Sequence, residues 1–173
     1  MNDLLLLSTL LAGPQHGYAL KKQVGLISGQ GQMHNNLVYP LLRRFVKNSW
    51  VTKRQAAGKR GQIREVYALS AKGKRELLRR LAEFTEKEAL SESAFHLRVG
   101  LFAFLDSNTQ EAILAERDRW LALRQEKLAN LQAAIDLGKW GGAVVAFRRQ
   151  QIAAERHWIS KLKRRLHPNE SHK

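Results

Sequence analysis

Three short helical segments followed by two strand-like segments occupy residues 3–69, and this order limits the possible fold more than any other feature of the sequence. The strands are predicted at 50–57 and 62–69, on either side of a glycine-bounded turn, residues 58–61, that carries two adjacent cations. Three helices and a hairpin within about 70 residues are typical of a winged helix-turn-helix, whose third helix enters the DNA major groove while the hairpin, or wing, contacts the backbone.

The first two helices are predicted at 3–12, where Gly13-Pro14 ends the helix, and at 17–27. The third helix, which begins near Asn35, is amphipathic at about 100° per residue. Its apolar face contains Val38, Leu41, Leu42 and Phe45, and its opposite face contains Asn36, Tyr39, Pro40, Arg43 and Lys47. Pro40 lies late for a first turn, so we expect an irregular start to this helix.

The chain has 173 residues and a net charge of +15, from 30 Lys and Arg against 15 Asp and Glu. So large an excess predicts a polyanionic partner, and double-stranded DNA is the partner that suits the winged helix. A basic helix face or a basic hairpin tip alone is commonly only solvated, but their order and spacing here favour DNA binding. Most of the excess lies in residues 1–90, which predicts a DNA-binding domain with its connecting helix there and a helical dimerisation and effector domain at 91–173.

The sequence lacks the motifs of common enzymes and metal sites. It has no cysteine, which excludes disulfides, thiolate nucleophiles and Cys-based zinc sites. Its six His residues show no HExxH or paired metal spacing, and dinucleotide-binding, P-loop and G-x-S-x-G motifs are missing. We therefore expect no enzyme activity, catalytic residue, metal or cofactor. The apolar run at 4–11 is too short to span a bilayer, so a cytoplasmic protein of the bacterial nucleoid is expected, without a membrane partner.

Three segments of the N-terminal half resemble the PadR-like transcriptional regulators. They are GPQHGYAL at 13–20, VYPLLRR at 38–44 and VYALSAKG at 66–73. The length that follows is similar to the subgroup with an extended helical C-terminal domain. The resemblance implies a dimeric, ligand-responsive repressor or, less often, activator, and the first-described members of the family respond to phenolic acids. A small aromatic effector is therefore an expected partner.

Two segments depart from the family pattern. Asn36-Leu37 stands where the family usually has Gly-Thr or Gly-Gln, so base readout at the start of the third helix is expected to differ. Residues 46–51, VKNSWV, stand where the family usually has an acidic run that includes a glycine. The loss of the acids raises the local positive charge and favours non-specific DNA affinity. Without that glycine, Asn48 or Ser49 must form the turn that ends the helix, and asparagine tolerates the left-handed conformation better.

The candidate DNA contacts follow from these features. Base edges and the adjoining backbone are assigned to Asn35, Asn36, Leu37 and Tyr39, and Tyr18 of the second helix is a further candidate. Phosphate attraction is assigned to Arg43, Arg44, Lys47, Lys53, Lys59, Arg60 and Arg64. Arg43 is also a candidate to read guanine, whereas Arg44 lies at the edge of the DNA-facing arc.

The C-terminal half is predicted to be helical, with helices at 71–88, 94–105, 108–137 and 143–166. The second of these is apolar nearly all round and is therefore expected to be buried. A capping box from Asn108 to Glu111 is expected to start the third. The last two helices, antiparallel to each other, are expected to be separated by Gly138, Gly141 and Gly142.

Wide apolar stripes on the last two helices predict a homodimer that binds a pseudo-palindromic operator. The candidate interface residues are Phe95, Phe102, Trp120, Leu128, Leu131, Phe147, Trp158 and Leu162. An internally satisfied three-helix bundle without a dimer is the alternative. Trp120, Trp140 and Trp158 are interpreted as interface core in preference to the lining of an effector pocket. Two other functions stay open: a sequence-indifferent nucleic-acid-binding protein, and a helical adaptor that binds protein.

Overall fold

The computed structural model of the protein describes residues 2–28, 35–57 and 62–167, which fall into two units, Met1–Glu83 and Phe84–Lys173. The first unit contains α1 (Asn2–Thr9), β1 (Gln15–His16), α2 (Gly17–Ser28), α3 (Asn35–Lys47), β2 (Val51–Ala57), β3 (Ile63–Leu69) and α4 (Ala71–Ala82). The second contains α5 (Glu86–Ala89), α6 (Glu92–Val99), α7 (Ser107–Ala134) and α8 (Gly138–Leu166). Single 3-10 turns lie at Leu10–Ala12 and Phe102–Phe104. The predicted fold class, mainly helical with a winged helix at the N-terminus, is confirmed.

The sheet of the first unit has three antiparallel strands in the order β1-β3-β2. The predicted hairpin is β2 with β3, in which Lys53 lies opposite Tyr67 and Gln55 opposite Glu65. The sequence does not predict β1, because a strand of two residues has no alternation to detect. Its pairing with β3 brings the start of α2 next to the wing.

Helix α3 buries the face that the sequence predicts, since Val38, Leu42 and Phe45 are fully buried. They share the first unit's core with Leu6, Leu7, Leu20, Leu77 and Leu81. Pro40 lies inside the helix, which is α-helical from Asn35 to Lys47. Because proline has no N–H, the carbonyl of Asn36 receives no hydrogen bond from residue 40.

The turn that ends α3 is formed by Ser49, although asparagine tolerates the left-handed conformation better than serine. Ser49 has a φ of 59°. Its N–H donates to the carbonyl of Val46 at 3.0 Å, and the N–H of Trp50 donates to the carbonyl of Phe45 at 2.9 Å. These two bonds form a Schellman motif, which directs the chain straight into β2.

The segment predicted as one helix at 71–88 is two helices. α4 ends at Ala82, and α5 begins after Thr85, which forms a capping box with Glu88. Apolar periodicity does not register this interruption, because the hydroxyl and carboxylate that cap a new helix lie on its polar side. At the other end of α4, Ser70 Oγ accepts a hydrogen bond from the N–H of Gly73 at 2.9 Å.

In the second unit α7 and α8 run antiparallel, with Arg149 bonded to Gln132 and Arg156 bonded to Gln125. The buried core of this unit contains Phe95, Ile113, Leu114, Leu121, Ile152 and Ile159. The prediction of one buried helix over 94–105 is wrong. α6 ends at Val99, a separate 3-10 turn covers Phe102–Phe104, and Phe104 is exposed. Because the α-helix is interrupted, the buried face predicted for one continuous helix does not continue to residue 104.

Both predicted boundaries of the long helices are corrected as well. Asp106 caps α7, since its Oδ1 accepts from the N–H of Thr109 at 2.9 Å, and the expected box at Asn108 is not used. α8 starts at Gly138, so Gly141 and Gly142 lie inside it and do not separate the helices. Glycine costs a helix only about 1 kcal/mol, which so long a helix tolerates.

Candidate nucleic-acid interface

The polar side of α3 is exposed next to the wing. Asn36, Arg43 and Lys47 are exposed, and Tyr39 between them is half-buried. We call these four side chains, together with Lys53 and Arg64 of the wing, the basic face. Amphipathic spacing dictates this arrangement, since burial of the opposite side of α3 leaves its cations in solvent.

A cavity of about 490 Å³ joins the start of α2 to the basic face. Its lining contains His16, Gly17, Tyr18, Tyr39, Arg64, Glu65 and Tyr67. Gly17 allows the close packing here, because a Cβ at this position would lie 3.1 Å from Cε1 of Tyr39. The structure thus brings together three predicted residues from separate elements, Tyr18, Tyr39 and Arg64.

A second cavity, of about 310 Å³, lies between α3 and the hairpin. Its lining contains Tyr39, Arg43, Val46, Lys53, Glu65 and Tyr67. Arg43 and Lys53 are therefore neighbours across the joint between helix and wing, as a surface that meets a phosphate backbone requires.

Glu65, which the sequence interpretation missed, lies at the centre of this region. Its Oε1 accepts from Lys53 Nζ at 2.7 Å, and its Oε2 accepts from the hydroxyl of Tyr67 at 2.6 Å. These two hydrogen bonds, first that of Lys53, lower the pKa of Glu65. Burial, and then the bond to Glu65, raise the pKa of Tyr67. The sequence could have predicted that Lys53, Glu65 and Tyr67 are neighbours, since strand alternation places residues 53, 65 and 67 on one face of the hairpin.

Asp3 is the second acid that the sequence interpretation did not connect with the cations. Its Oδ2 accepts from Nη2 of Arg44 and, at 3.1 Å, from Nη1 of Arg80. Arg44 is thus held by a carboxylate of α1, and its place at the edge of the DNA-facing arc stays a prediction. No sequence pattern indicates this contact, because 41 residues separate Asp3 from Arg44.

The remaining candidates divide by position. Leu37 is exposed on α3, and Asn35 is the first residue of that helix. Tyr18 is 66% exposed, at the start of α2. Lys59 and Arg60 fall outside the described residues.

The predicted interface residues of the second unit fall into two groups. Phe95 is fully buried in the core of its own unit, and Phe102, Leu128, Trp158 and Leu162 pack partly buried against that core. Leu131 and Phe147 are exposed, and Trp120 is half-buried with its indole N–H donating to Glu116 at 2.9 Å. Trp140 is 77% exposed, so it belongs to the surface of the unit and not to its core.

The second unit also contains a cavity of about 350 Å³ between α6, α7 and α8. Its apolar lining includes Leu121, Ile152 and Trp158. Its charged lining has both signs, namely Arg117, Arg124, Arg148, Glu92 and Glu155, and Arg117 is paired with Glu155. His96 lies at its wall, with its ring 5.4 Å from that of Trp158.

Within the described ranges, no group of three or more His, Cys, Asp or Glu side chains has the arrangement of a metal site. In the same part of the chain, no helix has the length and apolar character needed to cross a membrane.

Residues 6–79 match the sequence model of the transcriptional regulator PadR-like family. No curated protein matches the chain. Among solved structures it is similar to a transcriptional regulator from Clostridium thermocellum, with 20% identity and a TM-score of 0.43 over 47% of this chain and 80% of that one. It is also similar to Bacillus subtilis PadR in complex with operator DNA, with 16% identity and a TM-score of 0.44 over 95% and 98%. A PadR family regulator from Eggerthella lenta is 29% identical, with a TM-score of 0.41 over 47% and 70%.

Proposed function

We propose that this chain, whose residues 6–79 match the model of the transcriptional regulator PadR-like family, is a regulator of that family, a repressor that binds a pseudo-palindromic DNA operator as a homodimer. The observation that carries the proposal is the basic face, in which cations of α3 and of the wing flank shared cavities. A helix of the 13 residues of α3 fits the major groove, and an adjacent wing meets the backbone.

Sequence reading is assigned to the first turns of α3. Asn36 is exposed there and has the amide that pairs bidentately with adenine. Arg43 lies two turns further on and has the guanidinium that pairs with guanine O6 and N7. Asn35, Leu37 and Tyr39 complete the proposed base-proximal surface.

Phosphate attraction is assigned to the surrounding cations. Lys47, Lys53 and Arg64 are exposed on the basic face. Lys59 and Arg60, which the sequence predicts in the turn of the wing, fall outside the described residues and are assigned here from the sequence alone. Arg44 is the cation of this set that is bonded to Asp3. Tyr18, at the start of α2, is not a cation but has a hydroxyl that can donate to a phosphate. Such contacts position the protein without reading sequence, and their number sets the salt dependence of binding.

Dimerisation is assigned to the end of the second unit where α7 passes into α8. The core extends from the other end, at Ile113 and Ile159, to the middle of the two helices, at Leu121 and Ile152. At the connected end the exposed apolar side chains are Leu131, Ile135, Trp140, Val144 and Phe147. In a two-fold symmetric dimer the same patch of each copy contacts that of the other, so the apolar side chains of one copy would cover those of the second. The dimer would present two α3 helices to half-sites about 34 Å apart.

A small aromatic effector is assigned to the cavity of the second unit. Its volume of about 350 Å³ falls in the range of ligand sites. The ring of Trp158 and the side chains of Leu121 and Ile152 suit an aromatic ring, and Arg124 and Arg148 suit a carboxylate. Release of DNA by phenolic acids, with loss of that response in Arg124→Ala, would support this assignment. A regulator of this kind acts at the bacterial nucleoid, in the cytoplasm.

The deciding experiment compares two duplexes by fluorescence anisotropy at two salt concentrations. One duplex carries the DNA upstream of the protein's own coding sequence, and the other carries the same bases scrambled. A preference of about a thousandfold or more is expected of a specific regulator. Salt-sensitive binding with equal affinity for both duplexes, and for every genomic fragment tested, would instead support a sequence-indifferent DNA-binding protein. No salt-dependent binding would support a protein-binding adaptor.

A further inference from the structure

Glu65 brings a negative charge to a surface that otherwise carries cations. Among the described residues that line the two cavities of the first unit, it is the one acid. Lys53, Arg43 and Arg64 each line a cavity with it. A carboxylate at this place repels the phosphates that the neighbouring cations attract.

The position of Glu65 is fixed by its neighbours. Tyr67, which donates its hydroxyl proton to Oε2 of Glu65 at 2.6 Å, has a buried ring that cannot follow a moving partner. The hairpin register sets Lys53 opposite Tyr67, so its amine reaches Oε1 of Glu65 diagonally across the two strands, at 2.7 Å. Tyr67 therefore holds the carboxylate where it neutralises Lys53.

The exposure of the pair indicates what it does. Lys53 and Glu65 are 46% and 47% exposed, and an ion pair in so much water adds little to folding stability. The same pair strongly changes the charge that approaching DNA meets, because Lys53 must leave Glu65 before it can neutralise a phosphate.

From this geometry we propose that Glu65 masks Lys53 and so weakens binding to any phosphate backbone. The proposal rests on the DNA-binding function proposed above. Base contacts of α3 do not involve Lys53, so masking it lowers the affinity for scrambled and operator DNA by one factor. The ratio of the two affinities therefore stays the same, and Glu65 sets how tightly the protein holds DNA of any sequence.

The test measures salt-dependent affinity for the upstream duplex and for its scrambled version with wild type and Glu65→Gln. Glutamine keeps an acceptor for Tyr67 and removes the charge. The variant is expected to bind both duplexes more tightly, by up to about eightfold at 0.1 M salt, with a salt slope steeper by about 0.9, which corresponds to one more phosphate contact.

Two further variants separate local from general effects. Glu83→Gln makes the same change in net charge at the end of α4, outside both cavities, and is expected to change affinity much less. In a Lys53→Ala background, Glu65→Gln is expected to lose most of its effect, because no masked amine remains.

An unchanged slope in Glu65→Gln, or an equal gain in the Lys53→Ala background, would overturn the masking role. Weaker binding to the upstream duplex alone would assign Glu65 to a base contact such as the cytosine amine, and would also overturn it. If wild type itself shows no salt-dependent DNA binding, the proposed function fails and not merely this inference.

Discussion

Asn36 and Lys47 are both exposed on α3, yet they are expected to contribute to DNA binding in different ways. An amide in the first turns reaches base edges, whereas a long ammonium side chain in the last turn reaches phosphate. Asn36→Ala is expected to cost about 1–3 kcal/mol against the preferred base and to relax preference at one position. Competition with single-base variants of the bound duplex measures this.

Lys47→Ala is the matched comparison on the same helix. It is expected to weaken binding to all duplexes alike and to reduce the salt slope by about 0.9. If Lys47→Ala alters base preference while Asn36→Ala only changes the slope, the assignment of roles along α3 is reversed.

The sequence predicts which side chains of α3 are buried and which are exposed, but it does not predict the partners that the exposed side chains contact. Periodicity correctly identifies which side chains of the helix are buried, because burial follows from a repeat of 3.6 residues. The contact of Arg44 with Asp3 joins residues far apart in the chain, and only the tertiary packing of α1 against the rest of the unit creates it. The DNA roles of the twelve candidate residues stay predictions.

At the scale of elements, the turn after α3 is the place where the sequence departs from what the backbone prefers. Ser49 has a φ of 59°, which costs a residue with a Cβ about 1–2 kcal/mol. Ser49→Gly is expected to raise the free energy of unfolding by about 1 kcal/mol or somewhat less, since glycine also adds entropy to the unfolded chain. A urea titration of the full chain measures this.

Asn48→Gly is the control for that prediction, because no positive φ is found at residue 48. Glycine there gains nothing in the folded state and is expected to leave stability unchanged or lower it by up to about 1 kcal/mol. A stabilising Asn48→Gly with a neutral Ser49→Gly would contradict the assignment of the turn.

The charge network of α4 predicts a response to acid. Hydrogen bonds, first from Arg79 and then from Arg80, lower the pKa of Glu76 from 4.5 to about 2. A folded-state pKa below the unfolded value stabilises the protein above about pH 4.5, and this contribution is lost as the pH falls toward 2. The difference in urea midpoint between wild type and Glu76→Gln is therefore expected to be smaller at pH 3 than at pH 7. An equal difference at both values would exclude this linkage.

Most elements were predictable, and those that were not share a cause. The long helices and the hairpin show their periods over many residues, so their existence follows from the sequence. β1, the break before Thr85 and the cap at Asp106 each depend on one or two polar or backbone hydrogen bonds. Apolar periodicity carries no information about such bonds, and they move helix boundaries by several residues.

At the scale of the whole molecule, the two units differ in the features on which their proposed roles depend. The first unit contains the residues that match the PadR-like family model, and the basic face on which the proposed DNA binding depends. The family match ends at residue 79, and the role proposed for the second unit depends on what its own surface exposes. Leu131 and Phe147 are 42% and 56% exposed, although both are large apolar side chains. Burying their surface against a partner would lower the free energy, which makes them candidates for an interface.

The dimer proposed for this patch predicts that one charge on it disrupts both assembly and DNA binding. Phe147→Glu is expected to shift the protein to monomer in analytical ultracentrifugation, because a carboxylate would be buried against its symmetry mate without a partner. Operator affinity is expected to fall with it, since a monomer contacts one half-site. Circular dichroism should show unchanged helix content, because the side chain is outside the core of its own unit.

Ala153→Glu adds the same charge at an exposed position of α8 that lies about 120° around the helix from Phe147 and further from the α7–α8 connection, and it is expected to leave the dimer intact. If both variants stay dimeric, the patch at the α7–α8 connection is not the interface. If wild type is already a monomer at micromolar concentration and still prefers its operator about a thousandfold, the reading of this second unit as a dimerisation domain fails while the DNA-binding function stands.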